Sequence, residues 1–280
     1  MRRVVGFCVA ICTIVFALMA SWHGGAVHAE PPTVTFYAMG DVPYAPEEDL
    51  LLPKQVAAVP NDAAFVVHLG DIKNGSTPCN EEVYAKVAGM LRKSAHRVFI
   101  VPGDNEWNDC QEPVPSWDFW VKYFMKFDRH WESPLKVARQ TERQENFAFT
   151  HKGVLFIGIN LVGGRVNDAA EWKKRHQQNI AWIDRQLKTE GNASSSLVLF
   201  GHAQPAVKHA DFFGPFCESA VAYEKPILYI HGDGHRWIQD RPFPAKNILR
   251  VQVDQGGIAS PVKVMVGRDA KQPFTFERRK

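Results

Sequence analysis

Five short polar segments in this chain set carboxylate, amide or imidazole side chains beside glycine. They are Gly40-Asp41-Val42-Pro43-Tyr44, Gly70-Asp71-Ile72-Lys73-Asn74, Gly103-Asp104-Asn105-Glu106-Trp107, Gly201-His202-Ala203-Gln204 and His231-Gly232-Asp233-Gly234-His235. Oxygen and imidazole donors of this kind are the hard and borderline ligands that Mn, Fe, Zn or Mg accept. The neighbouring glycine lets the backbone turn sharply at the donor. Taken singly, each segment reads equally well as a turn capped by Asp or Asn. Five of them in one chain, each directly after an apolar run, point instead to one shared divalent-metal site. Cysteine spacing offers no competing thiolate site, because the chain has no Cys-x-x-Cys pair.

The elements that must position these donors follow from periodicity. Short, nearly continuous apolar runs at 33–39, 64–69, 97–101, 154–159, 196–200 and 226–230 suit strands buried on both faces. Between them, 80–94 carries Val83, Val87, Met90 and Leu91 at helical spacing, and 116–127 opens on a Ser that can cap. The longest helix is predicted over 168–190. Its N-cap is Asp168, its apolar face is Trp172, Ile180, Ile183 and Leu187, and Gly191 follows its end. Strands alternating with helices argue for an α/β fold. Runs at 247–253 and 262–266 read as a late antiparallel pair. In α/β sheets, ligands sit outside the carboxyl ends of the strands, so the five loops can converge on one place.

With these residues in order, the chain resembles the calcineurin-like metallophosphoesterases, whose motifs run Asp-x-His, Gly-Asp-x-x-Asp/Asn, Gly-Asn-His-Asp/Glu, a lone Gly-His and Gly-His-x-His. It looks most like secreted members that carry Gly-Asp-x-Pro-Tyr, His-Leu-Gly-Asp-Ile-Lys, Pro-Gly-Asp-Asn-Glu-Trp and His-Gly-Asp-x-His. The resemblance implies a two-sheet β-sandwich flanked by helices, two divalent metal ions and a phosphorylated small-molecule or ester substrate. It places Asp41 and His235 on the first metal, Asp71 between the two, and His202 on the second. Hydrolysis would proceed by in-line attack of a water deprotonated at the metals.

The departures from the pattern leave alternatives open. Pro43 stands where the first motif has histidine, so the first metal lacks a ligand that Tyr44 could replace, as a tyrosine does in purple acid phosphatases. Asn74 takes the last position of the second motif. In the third, Asp104 replaces the ligand asparagine, or a one-residue shift keeps Asn105 as that ligand. The catalytic histidine of this motif is absent either way, leaving Asn105, Glu106 or His231 to serve. In the fifth, Asp233 stands at the first histidine, and Asp233 or His231 completes the second site. A member that binds metal or a phosphorylated ligand without catalysis is the competing reading.

Other features are read with their simplest alternatives. His68 suits a core or supporting role better than ligation. Lys73 and Arg165 could meet a phosphate, although solvated side chains are the commoner outcome. Trp107, Trp117 and Trp120 suit a substrate cleft and core packing equally.

The N-terminus has the form of a secretory signal peptide: Arg2-Arg3, an apolar run from Val4 to Ala20, and small residues before cleavage after Ala29. That run is shorter than the about 20 residues of a typical spanning helix, and no Cys offers a lipid anchor. Residues 30–280 are expected to form a single domain, secreted or periplasmic, with no membrane anchor. Without Arg2 and Arg3 the basic count falls from 33 to 31 against 30 acidic residues, a balance that offers no bulk attraction to nucleic acid. Cys79, Cys110 and Cys217 remain in an oxidising compartment. The family pattern sets the loops before Cys79 and Cys110 side by side, so these two are expected to pair and Cys217 to stay free.

Overall fold

The computed structural model describes Met1 and residues 34–278; the expected signal segment lies, Met1 aside, outside the described residues. The chain runs β1 (Val34–Met39), α1 (Glu48–Ala57), β2 (Val66–His68), α2 (Glu81–Leu91), β3 (Val98–Ile100), α3 (Pro113–Phe124), β4 (Ala138–Arg139), β5 (Phe147–His151), β6 (Val154–Gly158), α4 (Ala169–Glu190), β7 (Ser196–Phe200), α5 (Ala210–Tyr223) and β8 (Ile227–His231). Four strands finish it: β9 (Ile238–Asp240), β10 (Ile248–Gln252), β11 (Val262–Val266) and β12 (Phe274–Glu277).

The strands form two sheets, ordered β12-β11-β1-β2-β3 and β4-β5-β6-β7-β8-β10-β9. In the first, β1, β2 and β3 are parallel; in the second, β6, β7, β8 and β10 are. Alternation along each strand sends one side chain into the space between the sheets and the next toward the helices. Thus Phe36 and Ala38 of β1 join Phe156, Phe200 and Ile230 of the second sheet in the central core. Tyr37 and Met39 instead pack under residues of α1, α2 and α3. The other side of the second sheet is covered by α4 and α5. The result is the expected sandwich of two sheets between two helical layers.

Local chemistry explains the element ends. Asn80 Oδ1 accepts from the Val83 N–H to cap α2, and Asp168 accepts from Ala170 and Glu171 to cap α4. Helix α3 starts earlier than the Ser rule suggested, because Pro113 fits the first helical turn. Ser116 lies inside the helix and donates back to the Glu112 carbonyl at 2.7 Å. The late strands do not pair with each other: β10 lies parallel to β8, and β11 antiparallel to β1. Helices α1 and α5 escaped the sequence reading because each carries an internal proline, Pro53 and Pro215.

Candidate metal centre

Each of the five loops leaves the carboxyl end of a parallel strand: β1, β2 and β3 in the first sheet, β7 and β8 in the second. Backbone bonds tie them together. Asp41 N donates to Gly70 O and Val42 N to Asp71 O, both at 3.0 Å. The His202 ring crosses between the sheets and bonds the Leu69 carbonyl through Nδ1 at 2.7 Å. A carbonyl can only accept, so Nδ1 carries the proton and Nε2 presents its lone pair to the site. Gly70 has φ +91°, and a Cβ there would lie 2.6 Å from Gly103 N. Asp41, Asp71, Asp233 and His235 all adopt positive φ, between 56° and 68°. Four non-glycine residues held in the left-handed region at one place are backbone strain concentrated at a functional site.

Two donor groups result. Asp41, Asp71 and His235 bring one ligand atom each within 4.8 Å of one another, and so do Asp71, Asp104 and His202. Asp71 belongs to both. The Tyr44 hydroxyl sits within the first group, donating to Asp71 Oδ2 at 2.6 Å and lying 3.3 Å from Asp41 Oδ1 and from His235 Nε2. Asp41 Oδ2, Asp104 Oδ1 and His202 Nε2 are buried with no hydrogen-bond partner among the described residues. The 3.1 Å approach of the last two therefore lacks hydrogen-bond geometry. Orphaned buried oxygens and an aimed imidazole lone pair are what divalent cations would satisfy, so the donor set fits two of them.

Electrostatics agree. Burial pushes the Asp71 carboxyl well up, opposed by His202 and reinforced by Asp104, Glu106 and Asp41. Burial works to lower His202, but Asp71 and Asp104 prevail and raise it. Burial, followed by the charges of Asp71 and Asp41, raises the Tyr44 phenol. Such mutual repulsion among carboxylates is relieved by cations placed between them.

The third loop contains a single π-helical turn, Asp104–Asn108, in which Asp109 N bonds Asp104 O. The wider turn accommodates one extra residue, so Asp104 and Asn105 both reach the site. Asp104 joins the second donor group. Asn105 Nδ2 donates to Asp71 Oδ2 at 2.5 Å and to the Tyr44 hydroxyl at 3.2 Å, which orients the shared carboxylate. Glu106 is fully buried. Its Oε1 accepts from Gly103 N at 2.6 Å and Asp71 N at 3.3 Å, so it clamps two loops and is withdrawn from contact with a substrate.

Of the fifth loop, His235 is in the first group, and Asp233 donates its N–H to Asp41 Oδ1 at 3.1 Å. A Cβ on Gly163 would lie 2.7 Å from Asp233 Oδ1 and 2.8 Å from Asp104 Oδ1, so these carboxylates converge on one backbone segment. His231 is placed elsewhere. As the next alternate residue after Tyr229 it faces the helical layer, stacks on that ring at 5.1 Å, and is pushed down to about 3 by burial. Neither donor group includes it.

The remaining sequence candidates divide. His68 supports the first loop by bonding the Val42 carbonyl at 3.0 Å. Lys73 is not solvated: it is buried, with its ammonium on the Asn74 carbonyl at 3.1 Å. Arg165 is exposed and lies against Asp109. Trp117 and Trp120 stack at 5.0 Å and pack with the α2–α3 core. The Arg175 guanidinium lies over Trp107 and also over Trp172. Trp172 Nε1 in turn donates to Asn108 Oδ1. This anchoring of the π turn by α4 was not read from the sequence, nor was the role of Gly163; the Gly163-Gly164 pair after the apolar run at 154–159 was the available signal. Cys79 and Cys110 are joined in a disulfide that links the second and third loops, and Cys217 is free.

The fold is similar to that of a 5′-nucleotidase from Candida albicans SC5314, with a TM-score of 0.54 and 14% identity over 89% of this chain and 51% of that one. It is also similar to a purple acid phosphatase from yellow lupin (Lupinus luteus) seeds, with a TM-score of 0.53 and 14% identity over 88% and 51%. This chain thus spans about half the length of either protein, and the likeness is one of fold. No curated protein sequence matches it. The family model for calcineurin-like phosphoesterases matches residues 34–237, a stretch that holds all five loops and both donor groups, and the chain belongs to that family.

Proposed function

We propose that this protein is an exported, metal-dependent phosphoester hydrolase, secreted or periplasmic, acting on phosphomonoesters or phosphodiesters at a dinuclear centre. The sharing of Asp71 between two three-residue donor groups carries the reading. Asp41, His235 and Tyr44 would hold the first ion, Asp104, His202 and the neighbouring Asp233 the second, and Asp71 both. When bound, two divalent cations polarise phosphoryl oxygens and make a water acidic enough to attack near neutral pH. The chain's own part is preorganisation. The Leu69 carbonyl fixes the His202 tautomer, Asn105 orients Asp71, and Glu106 keeps the second and third loops in register.

One observation favours a second reading, a member that binds metal or a phosphorylated ligand without turnover. Glu106 and His231, two of the residues the sequence offered in place of the absent third-motif histidine, are both fully buried. Metal analysis of the purified protein, run beside turnover of aryl phosphate mono- and diesters with Mn, Zn, Fe and Mg, separates the two. Two bound metals with turnover are expected. Two metals without turnover of any phosphoester would leave the binding reading standing, and no bound metal would end the hydrolase reading and leave only binding of a phosphorylated ligand. Export is checked by sequencing the N-terminus of the mature protein, which should begin at Glu30.

A further inference from the structure

A groove of about 860 Å³ opens beside the metal centre, a size that suits a small-molecule site. Its lining adjoins residues that touch the donor groups on two sides. Gly75 is on its rim, and a Cβ there would lie 3.1 Å from Asn105 Oδ1, while the Asn105 amide bonds Asp71. On the other side the segment that begins at Gly163, packed on the Asp104 and Asp233 carboxylates, continues into Arg165 and Asn167 of the groove lining. The Cys79–Cys110 disulfide is also part of the lining. A phosphoester held at the metals would project one substituent into this space.

The lining selects among substituents. Among the described residues no aromatic side chain contributes to it, so a nucleobase finds nothing there to stack on. The charges are Asp109, Glu112 and Arg165, and Arg165 already lies on Asp109, so the groove is net negative and repels a second phosphate. What remains is unpaired amide and carboxylate capacity. Asn80 uses Oδ1 to cap α2 and leaves Nδ2, Asn167 uses Nδ2 on the Asn108 carbonyl and leaves Oδ1, and neither Gln111 nor Glu112 bonds its side chain within the described residues. Donors and acceptors interleaved in this way match hydroxyl groups, which both give and accept.

We propose that this groove seats the leaving group, and that the substrate is the phosphate ester of a neutral sugar or polyol. The inference rests on the hydrolase reading. Its test is kcat/KM of the Mn-loaded protein for glucose 6-phosphate, glycerol 3-phosphate, adenosine 5′-monophosphate and fructose 1,6-bisphosphate. The first two should exceed the last two by about tenfold, the worth of one well-made hydrogen bond. Gln111→Trp, which fills the groove without touching a donor group, should erase that preference while metal content stays at the wild-type level. Preference for the nucleotide or the bisphosphate, or an equal fall on all four in Gln111→Trp, would overturn the subsite. Absence of turnover on every ester would instead sink the hydrolase reading. Calorimetry with glucose 6-phosphate would then decide the groove: binding that Gln111→Trp abolishes supports it, and no binding refutes it.

Discussion

At the residue scale, the site concentrates its demands on Asp71, which is buried, strained and shared between the two donor groups. Replacing it with Ala should abolish both metal content, read by elemental mass spectrometry, and hydrolysis; a variant that keeps two ions would refute the bridging role. Tyr44→Phe probes the phenol that lies among Asp41, Asp71 and His235. Loss of one ion per chain is expected if its oxygen is a donor, and unchanged metal content would leave the first site without it. Asn105→Ala removes only the amide that orients Asp71, so a loss of about 10- to 100-fold in metal affinity or activity is expected, as for other residues that hold a ligand in place.

At the scale of elements, strand ends set the donors and neighbouring elements hold them still. The disulfide joins the two loops that carry Asp71 and Asp104 across 31 positions of sequence. In the chain-entropy view, closing a loop of that length contributes about 3.7 kcal/mol, so Cys79→Ser with Cys110→Ser should lower the denaturation midpoint accordingly. Unchanged stability on reduction would show the bond to be idle. The π turn depends on α4 through Arg175, which sits between two indole rings and bonds Asn160 at 3.2 Å. Arg175→Met keeps much of the bulk but leaves Asn160 Oδ1 short of a donor, at a cost of about 1–3 kcal/mol. The third loop should loosen first, seen as faster amide exchange over 104–109 than elsewhere.

The whole molecule places its catalytic candidates along a seam between two sheets, and the same burial makes it acid-sensitive. Burial pushes His68 down to about 4 and His209 down to about 3. An unfolded histidine titrates near 6.5, so below that pH unfolding takes up protons that the folded protein refuses. Stability is therefore full above about pH 6.5 and is lost as pH falls toward the folded values, by about 2 kcal/mol per ring at pH 5. Comparing His209→Phe with the wild type at pH 7.5 and pH 5 isolates one ring from the site carboxylates. The variant's thermal midpoint should fall less on acidification, and an identical fall would contradict the neutral buried imidazole.

Sequence alone determined what depends on local order: strand and helix alternation, the capped α4, and five donor segments each following an apolar run. It also held both cysteines that pair, because position relative to two loops is a linear property once those loops are neighbours. Packing decided the rest. Whether Glu106 faces a substrate or two backbone N–H groups depends on how Gly103 meets Asp71, a contact between loops that sequence spacing does not encode. His231 is excluded by the pleat, since a strand running one residue further turns its last side chain to the helical layer. The rivalry between Asp104 and Asn105 dissolves in a π turn that presents both, and contacts of Trp107 and Asn108 with α4, together with those of Asn105 and Glu106 with the second loop, hold that turn. Lys73 reads as a surface lysine, yet the fold buries it. Side-chain identity is written along the chain, but the direction a donor points is set by elements far from it in sequence.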